Sequence, residues 1–134
     1  MYTLPVRIYW EDTDAGGVVY HARYVAFLER ARSEWMRANG HGQASLQQAG
    51  VVFAVRAMTL DFLKPARLDD ALEVSCELAE CRRASLVFRQ AIHRGGERLL
   101  DATVRIAALD AAGFRPTPIP AELHAQLTAL EIPA

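Results

Sequence analysis

The spacing of apolar residues along the chain predicts one strand, one long helix and then a run of strands. The first segment, TLPVRIYW, is rich in β-branched and aromatic residues, which favours a strand with Pro5 at its start or at a sheet edge. From Ala22 to Ala38 the apolar residues recur at helical spacing. Their stripe consists of Tyr24, Phe27, Leu28, Ala31 and Trp35. Asn39 and Gly40 then end the helix, because both residue types tolerate the left-handed conformation that closes helices.

The second half of the chain predicts four more strands. VVFAVRAMTLDFL carries no charge before Arg56 and is long for one strand, so we expect it to be largely buried or to form two segments. In ALEVSCELAE apolar and polar residues alternate, and the apolar face consists of Leu72, Val74, Cys76 and Leu78. ASLVFRQAIHR and ERLLDATVRIAAL are joined through Gly95 and Gly96, a strong hairpin signal. These strands form an antiparallel meander.

A single helix between the first strand and a long antiparallel sheet indicates an α+β fold, in which the sheet wraps around the helix. After the last strand, the proline-rich FRPTPIP is unsuited to a sheet interior. Pro120 is suited to the first position of a short terminal helix. Val25 and Met36 lie outside the main apolar stripe of the long helix, so we expect an oligomer to cover them.

Composition narrows the class of protein. With 134 residues, the chain fits one domain spanning 1–134. It is 51% hydrophobic and has a net charge of -1, which argues against disorder and against nucleic acid as a partner. We expect no secretory signal and no membrane span, because no apolar run has the required length or flanks. Cys76 and Cys81 lack CxxC spacing, so reduced thiols and a cytoplasmic location are predicted.

The segment EDTDAGGVVYH places acidic residues just before the long helix. A helix N-terminus exposes N–H donors that stabilise an anion, including an oxyanion in a transition state. A carboxylate beside those donors could act as nucleophile or as general base against a polarised carbonyl. Gly16 and Gly17 would let a substrate carbonyl approach the backbone without a Cβ in the way.

Other interpretations of the same segment stay open on the residues alone. An aspartate before a helix is most often a cap or part of an Asx-turn. A metal site built from Asp12, Asp14 and His21 would need further ligands that the sequence does not reveal. The sequence contains neither a GxSxG elbow nor a GxxxxGK[ST] phosphate loop, which excludes the commonest serine hydrolase and NTPase classes.

The segment VRIYWEDTDAGGVVYHARYVAFLERAR closely resembles the N-terminal part of the YbgC-type acyl-CoA thioesterases, in the 4-hydroxybenzoyl-CoA thioesterase branch of the hotdog fold. The resemblance continues through VVFAVRAMTLDFLKPARLDDALEV and ASLVFRQAIHR, and so covers about residues 5 to 110. It implies hydrolysis of acyl-CoA without a cofactor, because coenzyme A is part of the substrate. It also implies a homo-oligomer, a dimer or a dimer of dimers (homotetramer), with substrate at the protomer boundary.

The resemblance assigns roles to residues of the acidic loop. Asp14 matches the catalytic carboxylate of the family, as nucleophile or general base. His21 matches the residue whose backbone N–H polarises the thioester carbonyl, and the role of its imidazole, beside Tyr20, stays open. Gly16 and Gly17 are expected to contact the substrate.

The phosphates of coenzyme A call for cationic side chains. The candidates are Lys64, Arg67, Arg82 and Arg83. Each of them is equally well explained as a solvated loop charge.

Two other functions compete with thioester hydrolysis. YbgC-type proteins are associated with the Tol-Pal envelope system, so the chain could be an oligomeric scaffold that recruits acyl carrier protein, lipid-synthesis enzymes or envelope partners. A hotdog dehydratase acting on hydroxyacyl thioesters would need a histidine across the dimer boundary, which His41 or His93 could supply.

Overall fold

A computed structural model describes residues 1–133. The chain first forms the strand β1 (Tyr2–Arg7), a 3-10 turn (Trp10–Asp12), the helix α1 (His21–Ala38) and the helix α2 (Gln43–Gln48). It continues with the strands β2 (Val51–Phe62), β3 (Ala71–Cys81), β4 (Ser85–Arg94) and β5 (Glu97–Asp110), and then the helix α3 (Ala121–Thr128). All five strands join one antiparallel sheet in the order β1-β3-β4-β5-β2, so β1 and β2 are its edges. The predicted α+β fold class agrees with this arrangement.

Helix α1 supplies one wall of the core and packs against β3 and β1. Its predicted stripe is buried, and Phe27, Leu28 and Ala31 have no exposed surface. The apolar face predicted for β3 is buried as well. The expectation that Met36 needs an oligomer to cover it is wrong, because Met36 is only 7% exposed within the protomer.

Strand β2 differs from its prediction. It is one continuous strand with a bulge between Val55 and Ala57, and much of its surface is exposed. The expectation of a largely buried or divided segment is therefore wrong. The physical reason is topological: β2 lies at a sheet edge and pairs only with β5, so its apolar side chains are covered on fewer sides than those of an interior strand.

A buried polar cluster links α1 to the sheet, and no pattern in the sequence indicated it. The Gln90 side-chain amide donates to the carbonyl oxygens of Leu28, at 3.0 Å, and Ser75, at 3.2 Å. The Gln90 amide oxygen accepts a hydrogen bond from the Arg32 guanidinium, also at 3.0 Å. Because Arg32 and Gln90 are both buried, these bonds satisfy groups that would otherwise be costly to remove from water.

The β4–β5 hairpin agrees with its prediction, but the predicted meander of four strands is wrong for β2, which pairs with β5 and not with β3. Gly95 has φ of 59° in the β4–β5 hairpin, a conformation that favours glycine. In α3, Leu123 and Leu127 are buried, and Pro120 precedes the helix by one residue instead of opening it. Across residues 1–133, no helix has the length and apolarity that a membrane crossing requires.

Leu28→Ala should lower the free energy of unfolding by about 3 kcal/mol, since it leaves a cavity in the most buried part of α1. Urea denaturation followed by circular dichroism measures this change. The matched control is Ser33→Ala on the exposed side of the same helix, which should stay within about 0.5 kcal/mol of the wild type. Equal effects of the two substitutions would contradict the assignment of Leu28 to the core.

Candidate active site

Asp14 lies at the tip of a tight loop between the 3-10 turn and α1. Its Oδ1 accepts a hydrogen bond from the Gly16 N–H at 2.8 Å, which is an Asx-turn. The loop then doubles back, because the Asp14 N–H donates to the Val18 carbonyl at 2.8 Å. Gly17 has φ of 84°, which explains the need for glycine there. Asp14 is exposed, and its Oδ2 accepts no hydrogen bond from residues 1–133.

Asp12 has a different environment from Asp14. Its side chain is buried and accepts hydrogen bonds from the Tyr9 N–H, at 2.9 Å, and from Nε of Arg23, at 2.8 Å. A second guanidinium nitrogen of Arg23 lies 2.7 Å from the same carboxylate. The Asp12 carbonyl also accepts the Tyr20 N–H at 2.8 Å. Asp12 therefore holds the loop against the first turn of α1 and is not available to a substrate or metal.

The N-terminus of α1 opens beside this loop. His21 is the first helical residue, and the preceding Tyr20 provides no side-chain cap. The backbone N–H groups of His21 and Ala22 donate to no acceptor within residues 1–133. Unpaired N–H groups at the positive end of a helix dipole stabilise an adjacent oxyanion. The structure thus leaves one Asp14 oxygen and the first N–H groups of α1 without hydrogen-bond partners among residues 1–133.

The loop between β2 and β3 supports the same terminus from the other side. The Ala66 carbonyl accepts the Val19 N–H at 2.9 Å, and the Ala66 N–H donates to the Tyr24 hydroxyl at 3.0 Å. Burial raises the pKa of Tyr24, and the charges of Asp70 and Asp14 contribute in the same direction. Tyr24 therefore stays a neutral phenol that anchors this loop. Sequence reasoning placed Tyr24 in the core stripe and did not foresee this contact.

A cleft of about 290 Å³ lies at the start of α1. Its walls are formed by Val19, His21, Tyr24, Phe62, Leu63, Lys64 and Pro65. Phe62 and Leu63 are about half exposed and form an apolar rim. The cleft therefore offers an apolar surface beside the helix N-terminus, which suits the acyl part of a thioester.

The structure brings only some of the predicted binding residues together. Tyr20 is half exposed, and its ring centroid lies 4.7 Å from that of His21. Lys64 lines the cleft and forms an ion pair with Glu97 at 2.8 Å. Arg67 is exposed and lies next to Val18, with which it forms a β-bridge. These residues surround the loop that carries Asp14.

Arg82 and Arg83 lie elsewhere. They follow Cys81, where β3 ends. The loop beside α1 leads into Ala71, where β3 begins, about 33 Å away along the strand. Arg82 is paired with Glu80 at 2.6 Å. One protomer therefore does not place either arginine near Asp14.

Other chemical groups are poorly placed for catalysis. Burial raises the pKa of the Cys76 thiol to about 12 and also raises the pKa of Cys81, so both thiols stay protonated at neutral pH. His41 follows the far end of α1, about 27 Å from His21 along an 18-residue helix. Within residues 1–133, no three metal-binding side chains approach closely enough to hold an ion.

The comparisons with known proteins identify the family. The model of the thioesterase-like superfamily matches residues 8–127. The acyl-CoA thioester hydrolase YbgC of Escherichia coli is 46% identical over 127 residues, which cover 94% of this chain and 95% of that protein. The chain belongs to the YbgC family. The family predicted from the sequence is confirmed.

Further YbgC-family relatives extend this result. The acyl-CoA thioesterase YbgC of Haemophilus influenzae is 42% identical over 125 residues, which cover 92% of each chain. Among solved structures, the probable thioesterase of Bartonella henselae is 34% identical and superposes with a TM-score of 0.83, covering 89% of this chain and 98% of that one. These matches also confirm the predicted hotdog fold.

Asp70→Asn should weaken the loop that supports α1. Burial alone would raise the pKa of Asp70, but hydrogen bonds from the Arg67 N–H and the Arg94 guanidinium lower it below its ordinary value. The contribution of the Asp70 carboxylate to the free energy of unfolding is therefore present above its unfolded-state pKa of about 3.9. It is lost as the pH falls through the lower pKa of the folded state. We expect a loss of about 0.5–1 kcal/mol at neutral pH, because the pair is partly exposed.

Urea denaturation across a pH series tests this expectation. The matched control is Asp69→Asn, since the exposed Asp69 side chain has no ion-pair partner within residues 1–133. The difference in the free energy of unfolding between Asp70→Asn and the wild type should disappear at acidic pH. The difference between Asp69→Asn and the wild type should not change with pH. A constant difference at all pH values would contradict the role of the Asp70 charge.

Proposed function

We propose that this YbgC-family protein hydrolyses acyl-CoA thioesters to the free acid and coenzyme A, with Asp14 as the catalytic carboxylate. The observation that carries the proposal is that Oδ2 of Asp14 and the first N–H groups of α1 are both unpaired within residues 1–133, with Asp14 on a loop that closes onto Val18 just before the helix. The names of the relatives from Escherichia coli and Haemophilus influenzae support acyl-CoA as the substrate. The chemistry needs no cofactor, because the carboxylate and the helix terminus supply the catalytic groups.

In the proposed reaction the thioester carbonyl oxygen accepts a hydrogen bond from the His21 N–H. This contact becomes stronger as negative charge develops on the oxygen, so it favours the transition state over the bound substrate. Asp14 either removes a proton from the attacking water or attacks the carbonyl carbon itself. The C–S bond then breaks, and the thiolate takes up a proton to become free coenzyme A. When Asp14 is the base, the attacking water supplies both this proton and the oxygen of the released acid. When Asp14 is the nucleophile, water hydrolyses the mixed anhydride formed on Asp14, which releases the acid and restores the carboxylate.

Lys64 and Arg67 are the proposed contacts for coenzyme A within one protomer, because both lie on the loop beside the cleft. Their charges suit its phosphates. Gly16, Gly17 and Tyr20 complete the proposed substrate contacts near the reacting carbonyl. Any contribution of Arg82 or Arg83 requires a second protomer, given their distance from Asp14.

We also propose that the protein assembles as a dimer or a dimer of dimers. The edge strand β2 has no partner on its outer side within residues 1–133, and Val55 and Phe62 on it are about half exposed. A second copy that pairs along this edge would cover both the backbone groups and the apolar side chains. Carrier-protein substrates, a cytoplasmic location and a link to the Tol-Pal system stay predictions.

Asp14→Asn should lower kcat by about 100-fold or more, because asparagine keeps the size of the side chain and cannot act as base or nucleophile. Release of free thiol from a panel of acyl-CoAs measures the loss. The matched control is Asp110→Asn. Like Asp14, Asp110 lies in an exposed turn and its side chain accepts a hydrogen bond from the N–H two residues later, here that of Ala112, but this turn is remote from the start of α1. Full turnover by folded Asp14→Asn would exclude the proposed role.

His21→Tyr should keep substantial activity, within about ten-fold of the wild type, if the backbone N–H of residue 21 polarises the carbonyl. The side chain is exposed, so the substitution should leave the start of α1 in place. The same thiol-release assay gives kcat and KM. A loss as large as that of Asp14→Asn, with an unchanged circular dichroism spectrum, would assign the catalytic role to the imidazole instead.

A further inference from the structure

A second cavity lies along the C-terminal half of α1, on the side that faces β2. Its volume is about 540 Å³. Its apolar walls come from α1 and from the concave face of the sheet, and they include Val25, Met36, Phe53, Met58, Phe88 and Ile106. We call this cavity the α1–β2 groove.

The groove and the cleft at His21 share no lining residue, but residues that are neighbours on α1 and on β2 line the two cavities. Tyr24 and Phe62 line the cleft, whereas Val25 and Met58 line the groove. Tyr24 and Val25 are consecutive on α1, and Phe62 and Met58 lie on the same face of β2, because side chains alternate along a strand. Both cavities therefore follow the same boundary between α1 and β2. An acyl group whose carbonyl lay at the start of α1 would reach the groove by following this boundary.

Arg32 is a charged side chain inside this apolar groove. It is only 7% exposed and lines the cavity wall. One guanidinium nitrogen donates to Gln90, but Arg32 forms no ion pair with any acid of residues 1–133. Within residues 1–133, every fully buried side-chain nitrogen has a hydrogen-bond partner. The other guanidinium nitrogens of Arg32 have no such partner among these residues, so they are not fully buried and keep access to the groove.

Arg32 has no ion-pair partner among residues 1–133, although the carboxylate of Glu29, which lines the same cavity, acts on its pKa from beyond ion-pair distance. Burial lowers the pKa of Arg32, but a guanidinium stays protonated at neutral pH. A buried charge is costly to desolvate unless an opposite charge pairs with it. His41, which is buried at the same cavity wall, adds a second nitrogen-bearing side chain. At the rim, Arg37 forms an ion pair with Glu34, and the Glu29 carboxylate is exposed. The interior of the groove is therefore complementary to an anion.

We infer that the α1–β2 groove binds the distal end of the acyl group and that Arg32 pairs there with a terminal carboxylate. The preferred substrates are then coenzyme A monothioesters of dicarboxylic acids. A carboxylate matches the planar fork of guanidinium donors and supplies the missing negative charge. This inference rests on the proposed function for the position of the thioester, and it adds the class of acyl group.

The length of α1 sets the expected chain length. Arg32 follows His21 by 11 residues, about 16 Å along the axis at the usual rise per residue. Helical side chains lean toward the N-terminus, which shortens the gap to the guanidinium by roughly 5 Å. The remaining span of about 11 Å corresponds to an extended acyl chain of about eight to ten carbons. Medium-chain dicarboxylic acids therefore fit best.

Binding of two non-hydrolysable thioethers tests the inference without relying on turnover. The probes are S-decyl-CoA and S-(9-carboxynonyl)-CoA, which differ only by the terminal carboxylate, and calorimetry gives the Kd of each. The wild type should bind the carboxylated probe at least about ten-fold more tightly, as expected for a charge-assisted pair. Arg32→Met should remove this preference, and Arg32→Lys should keep part of it. The matched control is Arg30→Met, on an exposed face of the same helix, which should keep the full preference.

Equal affinity of the wild type for the two probes would overturn the inference whether or not the variants fold. An altered oligomeric state of Arg32→Met in sedimentation, with no wild-type preference, would assign Arg32 to a contact with a second copy and would also overturn it. Thiol release from the matching thioesters separates the two proposals. If the carboxylated probe binds more tightly and neither thioester is hydrolysed, the ligand class stands and the proposed hydrolysis fails.

Discussion

The buried carboxylate of Asp12 is the interaction on which the candidate site depends. It binds the Tyr9 N–H and the Arg23 guanidinium at once, and the carbonyl of the same residue accepts the Tyr20 N–H. These contacts join the end of β1, the acidic loop and the first turn of α1. Because each partner lies on a different segment, they set the direction in which α1 leaves the loop. Asp14 lies on the loop that these contacts fix, two residues after Asp12.

The part of the fold that could be predicted from sequence is the part set by local periodicity. The buried stripe of α1 and the alternation along β3 follow directly from residue spacing. The bounds of the long helix were right to within one residue, because Asn39 and Gly40 are strong end signals. The acidic loop is visible in the sequence because its acids and glycines are adjacent, whereas the role of Asp14 comes from the family resemblance and stays a prediction.

The features that local periodicity does not predict depend on distant segments. Strand β2 has an apolar sequence and was expected to be buried, but exposure is decided by its place at the sheet edge. Arg82 resembled Lys64 as a loop cation, yet β3 separates them by its whole length. The pairing of Arg32 with Gln90 joins residues 58 positions apart, and no spacing rule indicates such a contact. Sequence patterns report which side of an element faces inward, and they do not report what lies opposite.

The helix α1 links the two proposals through its rigidity. Its N–H donors at His21 would hold the reacting carbonyl, and Arg32 on the same helix would hold the far end of the acyl group. Two groups on one helix keep a fixed separation, so chain length would be selected by geometry without movement of a loop. The Gln90 contact matters for this selection, because it fixes the guanidinium against the sheet. A thioester needs few catalytic groups, which leaves most of the helix free to recognise the acyl group.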